Sequence, residues 1–319
     1  EDPYDFKSLF ISELDSWFSS DIACCESCLD DFLINWPLAY TADKELFQRN
    51  SVDIDSFYSG SRMATFYTKD EYLKYLPLIL CPICGNPIKN YIYPYNLPFD
   101  IVDGFEQKLE ELFSIAYAFP FLLLDNEFAK SIFNAIKELF KETKPFIFDR
   151  CFYKARKMKS LKSKDIYEFG FPPKEIVKEG RYNHAGMPVL YLADDPETCY
   201  YEMRESECVV AEIKFEEPIC VLDLFSPSNQ HPIHSNLLNT LIYSTLMSAT
   251  QSDNGWFKPK YVFTRFVSDC AKKAGFDAIK YPSTRRSHEC FNLVIINEKM
   301  SSKIPSSIKR IFDYNKDNS

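Results

Sequence analysis

The chain has 319 residues, 46% of them apolar and 16% aromatic, more than one core usually holds and too apolar for wholesale disorder. Its formal charge of −9 makes it a poor general binder of nucleic acid, because such binding rests on neutralising phosphates with lysine and arginine. The glycines, eight in all, form neither a Walker nor a dinucleotide phosphate loop, and no apolar run approaches the ~20 residues of a membrane span.

Residues 1–97 are acidic and aromatic, carry clustered cysteines, and close on the proline-marked stretch Tyr93-Pro94-Tyr95-Asn96-Leu97-Pro98. Cys25-Glu-Ser-Cys28 and Cys81-Pro-Ile-Cys84-Gly85 are two C-x-x-C units. That spacing lets two thiolates share one tetrahedral zinc, and the glycine after the second pair admits the tight turn. Cys24 is an alternative ligand to Cys25, and two unrelated buried cysteine pairs are the alternative to a metal site. The total of eleven cysteines is odd, and no secretory signal pattern opens the chain, so a reducing cytoplasm is expected, where clustered cysteines bind metal more often than they form disulfides. Four cysteines leave zinc no open position, so its role would be structural. A small zinc-binding module is the expectation for 1–97.

Residues 98–149 read as a helical connector. Phe105, Leu109, Leu112, Phe113 and Ala116 fall at helical spacing until Pro120. A second helix is expected after Asp125 as N-cap, with Phe128, Ile132, Phe133, Ile136, Leu139 and Phe140 on one stripe. The basic run Lys154, Arg156, Lys157, Lys159, Lys162 and Lys164 fits either a small anionic ligand or a solvated loop.

Beyond residue 144 strand and helix signals alternate. Strands are expected at 189–193, 209–215 (half-buried, from its alternation), 219–225 and 291–297, and helices at 196–204, 237–247 and 261–274, the last closed by Gly275. Irregular interleaving of this kind predicts a mixed α+β domain rather than a doubly wound sheet. Residues 150–299 are its expected extent, with 300–319 as a tail.

The chemistry-bearing segment is Gly180 to Arg204. It reads as a loop with Arg181, a strand with Tyr191, and a helix capped by Asp195 with Pro196 at its first position and Glu202 two turns on. Each of these residues also has an ordinary structural reading, Arg181 bracing its own loop and Glu202 lying on a solvated helix face. The segment resembles the signature of the RES family, in which a G-R-aromatic-N loop precedes G-x-P-x-x-Y-x-A and a short helix with glutamate. Here these are Gly180-Arg181-Tyr182-Asn183, Gly186-Met187-Pro188-Val189-Leu190-Tyr191-Leu192-Ala193, and Glu202. Upstream, Phe152-Tyr153-Lys154-Ala155-Arg156 resembles the family's F-R-A-R strand, with lysine in place of the first arginine. Downstream, Gly275 to Ser283 resembles G-F-D-G-I-x-Y-x-S, and Phe291-Asn292-Leu293-Val294 the closing N-L-V strand.

The resemblance implies an ADP-ribosyltransferase-like mixed α/β domain that degrades NAD⁺ at the nicotinamide–ribose bond, as a glycohydrolase or phosphorylase. It implies Glu202, Tyr191 and Ser283 as catalytic residues, with Lys154, Arg156 and Arg181 for the pyrophosphate, either Lys154 or Arg156 filling the family arginine's role. The basic pair Arg285-Arg286 is a further phosphate candidate or a surface loop. The expected setting is a toxin of a toxin–antitoxin or phage-defence system, partnered by NAD⁺ and by an antitoxin or regulatory protein, with no membrane. A protein ADP-ribosyltransferase and a catalytically inert partner-binding module are the alternatives.

Overall fold

The computed structural model describes residues 3–18, 21–30, 51–81, 84–95, 102–161, 163–203, 206–225, 235–247, 261–283 and 290–315. Arg204 and the Arg285-Arg286 pair lie outside them. The chain divides into two compact units, Glu1–Phe99 and Asp100–Ser319.

In the first unit, helix α1 (Pro3–Phe18) places Phe6, Phe10 and Leu14 one turn apart, and all three are fully buried. Strand β1 (Asp21–Cys24) and strand β2 (Val52–Asp53) flank a later strand in a three-stranded sheet. Asp53 caps helix α2 (Ile54–Gly60) by accepting from the Asp55 and Ser56 amides, and a Thr68–Glu71 capping box opens α3 (Lys69–Tyr75). The central strand β3 (Tyr91–Tyr95) pairs antiparallel with both neighbours. Phe6 meets Tyr67 and Tyr72 edge-on or tilted, and Phe10 meets Phe57. This aromatic nucleus is worth roughly 1.5–3 kcal/mol per buried side chain.

The second unit opens with α4 (Phe105–Ala118) and α5 (Glu127–Glu142). The α5 cap is Asn126, whose side chain accepts from Ala129 N–H at 3.0 Å, and not the expected Asp125. Pro120 starts a tight 3₁₀ stretch that runs through Asp125, so the first residue free to cap is the next one. On α5, Phe128, Ile132, Ile136 and Leu139 are buried, and both helices pack on a later helix of this same unit.

The remainder is a mixed α/β layer, in agreement with the α+β expectation. In chain order it holds β4 (Phe152–Lys157), β5 (Leu190–Ala193), α6 (Pro196–Glu202), β6 (Cys208–Ile213), β7 (Val221–Asp223), α7 (Ser235–Met247), α8 (Tyr261–Ala274), β8 (Ala278–Pro282), β9 (Phe291–Ile295) and β10 (Ile308–Tyr314). The sheet order is β10-β6-β4-β5-β9-β8-β7, parallel only between β7 and β8. Its main core gathers Phe152, Leu190, Leu192, Ile213, Leu293 and Ile295.

Two expectations need correction. Strand β6 is not half-buried: Cys208 and Val210 pack with Ala155, Ala193 and Cys199, while Val209 and Ala211 pack with Phe169. Both faces are covered because α6 lies over one and the 3₁₀ turn Ile166–Phe169 over the other. Residues 300–319 are also not merely a tail, since β10 pairs with β6 from Ile308 to Tyr314. The exposed charges Lys309, Arg310 and Asp313 hide its pattern and suit an edge strand. Among the described residues no helix is long and apolar enough to cross a membrane.

Candidate functional site

Strand β4 pairs with β6 at six successive positions but with β5 at only one, Tyr153↔Ala193. Where β4 and β5 stop pairing, a pocket of about 280 Å³ opens. Tyr153, Lys154 and Ala155 wall it from one strand, Tyr191, Leu192 and Ala193 from the other. Arg181, Glu202, Tyr261, Tyr281 and Asn292 complete its polar lining.

Glu202 is placed by the helix that it ends. Asp195 caps α6 by accepting from Thr198 N–H at 2.7 Å, with Pro196 at the first position as expected. The Thr198 hydroxyl, fully buried, donates to Asp194 and Asp195, and the Cys199 thiol donates to the Tyr153 carbonyl at 3.3 Å. Two turns later the Glu202 carboxylate reaches the pocket, where Oε1 accepts from Asn292 Nδ2 at 3.0 Å and Ser283 Oγ at 3.5 Å. Asp194, Asp195 and Cys290 also lie close enough to share an ion, but the two carboxylates are spent on the start of α6.

Two cations share the pocket with this carboxylate. Burial, with Arg156 close by, lowers the Lys154 ammonium to about 8. Arg181 lies 5.4 Å from the Tyr281 ring centre. Burial works against its charge, yet the surrounding Tyr281, Tyr261 and Tyr182 phenols and the Glu202 carboxylate hold its pKa above the ordinary arginine value. Arg156 is absent from the lining and turns instead to Glu168, with Nη2–Oε2 at 3.4 Å.

Tyr191 lines the pocket with its ring, but its hydroxyl is engaged. It accepts from Tyr182 N–H at 3.0 Å and donates to Asn183 Oδ1 at 2.9 Å. Burial pushes its phenol well above the usual range. Tyr182, the next residue after Arg181, is buried against Tyr281 with ring centres 4.8 Å apart. Lys154, Arg181, Tyr191 and Glu202 therefore share one pocket, Ser283 joins through Glu202, and Arg156 stands apart. Sequence reasoning missed Asn292, Tyr261 and Tyr281 as lining residues. A polar asparagine inside the otherwise apolar Phe291–Ile295 run was the signal available for the first.

In the first unit, the sulfurs of Cys25, Cys28, Cys81 and Cys84 all lie within 4.8 Å of one another. Cys25 and Cys84 are 3.8 Å apart, as sulfurs about 2.3 Å from a tetrahedral zinc would be. The Cys25 amide donates to Cys81 Sγ at 3.3 Å, and Gly85 takes the left-handed conformation with φ 71°. These residues fit a structural zinc. Cys24 is fully buried and outside the four.

The RES domain family model matches residues 161–315. No curated protein matches the chain. A chain from the crystal structure of the M. tuberculosis MbcT–MbcA toxin–antitoxin complex is similar at 12% identity and a TM-score of 0.37, over 60% of this chain and 93% of that one. The segment that matches the RES domain model falls within the second unit, as does the pocket between β4 and β5.

Proposed function

We propose that the pocket binds NAD⁺ and cleaves its nicotinamide–ribose bond. The observation that carries this reading is the Glu202 carboxylate, anchored by Asn292 and Ser283 in a pocket that also holds Lys154 and Arg181. Breaking the C–N bond leaves positive charge on the ribose and releases nicotinamide as a neutral amine, so no strong general acid is needed. Glu202 stabilises that charge and takes up ribose hydroxyls. Lys154 and Arg181 face the pyrophosphate, replacing the glycine loop that the sequence lacks. Tyr191 contributes its ring to the nicotinamide side, because its hydroxyl already holds the loop before β5. Ser283 and Asn292 position Glu202. Water or phosphate then bonds to the ribose carbon and loses a proton to solvent.

As a RES-type enzyme that consumes NAD⁺, the chain would act as a toxin in the cytoplasm, held in check by an antitoxin or other regulatory protein. The cysteines of the cluster are not joined in disulfides, which suits that reducing compartment. Zinc bound by Cys25, Cys28, Cys81 and Cys84 would brace the first unit and take no part in the reaction.

The test follows nicotinamide release from NAD⁺ by the wild type and Glu202→Gln, with and without phosphate. Loss of NAD⁺ with the wild type alone is expected, and a phosphate-dependent product distinguishes phosphorolysis from hydrolysis. A labelled protein band would instead indicate a protein ADP-ribosyltransferase. NAD⁺ left intact by the wild type overturns the proposal.

A further inference from the structure

The loop Glu179–His184, which carries Arg181, is gripped from two sides. From β5, Tyr191 holds Tyr182 and Asn183 as described. Asn183 Nδ2 in turn donates to the Lys178 and His184 carbonyls at 2.9 and 3.0 Å. Gly180 closes this side: a Cβ there would lie 2.3 Å from Asn183 Oδ1 and 2.7 Å from the Tyr191 hydroxyl.

From α8 come three further contacts at successive points along the loop. Arg265 Nη1 pairs with Glu179 Oε2 at 2.8 Å, Thr264 Oγ1 donates to the Arg181 carbonyl at 2.6 Å, and His184 Nε2 meets Asp269 Oδ2 at 2.8 Å. The last pair is exposed and weakly held. The first two are different. Arg265 is only 4% exposed and Thr264 only 1%, and a buried guanidinium is costly unless it is paired. Its partner sits two residues before Arg181, and the Thr264 bond ends on Arg181 itself. An ion pair serving α8 alone would have no reason to end beside the pocket's arginine.

We infer that Arg265 and Thr264 are positioning residues that hold the Arg181 guanidinium in the pocket, over Tyr281 and beside Glu202. The role rests on the NAD⁺ reading above. Neither residue lines the pocket itself, so both act through the loop's backbone and through Glu179. Loosening the loop weakens the hold on the pyrophosphate and leaves the Glu202 chemistry in place.

The experiment is steady-state NAD⁺ kinetics on full-length Glu179→Gln, Thr264→Val and Arg265→Lys, each also made in an Arg181→Ala background, with thermal melts alongside. Thr264→Val removes one hydroxyl at nearly constant volume, so a folded variant is available even if the ion-pair changes unfold the chain. The expected result is a KM raised about tenfold for Glu179→Gln and a few-fold for Thr264→Val, with kcat little changed. Arg265→Lys, which keeps the charge facing Glu179, should raise KM less than Glu179→Gln does. In the Arg181→Ala background, Glu179→Gln and Thr264→Val should add nothing further to KM. A lowered Tm with unchanged KM, or effects fully additive with Arg181→Ala, would mean a structural role only and overturn the inference. A wild type that neither binds nor consumes NAD⁺ removes the reading beneath it, and the inference with it.

Discussion

Asn292 Nδ2 donates to Glu202 Oε1 at 3.0 Å, tying the last residue of a short helix to a strand inside the sheet across ninety positions of sequence. The bond fixes the carboxylate at the pocket wall without neutralising it, because an amide brings no charge. Asn292→Ala should leave the fold intact and lower kcat for NAD⁺ about ten- to thirtyfold, the effect of releasing one charged hydrogen-bonding partner. Asn292→Asp should cost more at neutral pH, since it sets a second negative charge against Glu202. Equal kcat for wild type and Asn292→Ala would remove Asn292 from the site.

Lys154 makes the pocket sensitive to alkali. In the fold burial lowers its pKa from 10.5 to about 8, so it gives up its proton well before an unfolded lysine does. Between these values the unfolded chain binds more protons, and the free protein gains stability as pH rises. Affinity for an anion moves the other way and falls above about pH 8 as the ammonium is lost. KM for NAD⁺ should therefore climb from pH 7 to 9 in the wild type and stay nearly flat in Lys154→Arg, whose guanidinium does not titrate there. Parallel profiles for the two proteins would place the titrating group elsewhere.

Tyr191→Phe separates two roles of one side chain. The ring remains in the pocket, while the hydroxyl that receives Tyr182 N–H and reaches Asn183 is gone. A rise in KM with kcat within about threefold is the expected pattern for a loosened loop. A kcat collapse with unchanged KM would show instead that the hydroxyl takes part in bond cleavage.

Gly180→Ala should be among the most damaging single-methyl additions in this unit. Its new carbon would overlap two hydrogen-bonded oxygens that cannot retreat without breaking the loop's clamp. A loss of about 1–3 kcal/mol is expected, read as a fall of several degrees in Tm. A melt matching the wild type would show that the loop has slack.

Metal analysis tests the cysteine cluster. One zinc per chain is expected, and Cys81→Ser or Cys84→Ser should lose it on dialysis against a chelator, with a lower melting transition. Full zinc content in both variants would mean the metal is held by other residues.

Much of this was legible in the sequence because local rules decide it. Asp195 and Pro196 announced α6, Gly275 marked the end of α8, and the Phe128–Leu139 stripe buried as its period required. The motif order placed Arg181, Tyr191 and Glu202 near one another before any geometry was known. What stayed hidden depends on contacts between distant segments. Nothing in the spacing of Asn292 and Glu202 says that they meet, and the grip of Thr264 and Arg265 on a loop some eighty residues earlier leaves no periodic trace. Strand β10 escaped notice because an edge strand answers to solvent on one side, and its lysine and arginine read as a tail. The choice of Asn126 over Asp125 was beyond propensity, since either side chain caps a helix well.

The sheet order also bears on where this domain can be cut. Strand β4 lies between β6 and β5, so it is the seam joining β10-β6 to β5-β9-β8-β7. It precedes the segment matched by the family, and just before it the Phe146 backbone exchanges two hydrogen bonds with Ile219 at 3.1 and 3.0 Å. A fragment started at residue 161 would consist of two half-sheets with no strand between them, and would also lack the lysine that faces the pocket. The smallest autonomous form of this domain therefore begins no later than Phe146, ahead of the residues 161–315 that the family model matches.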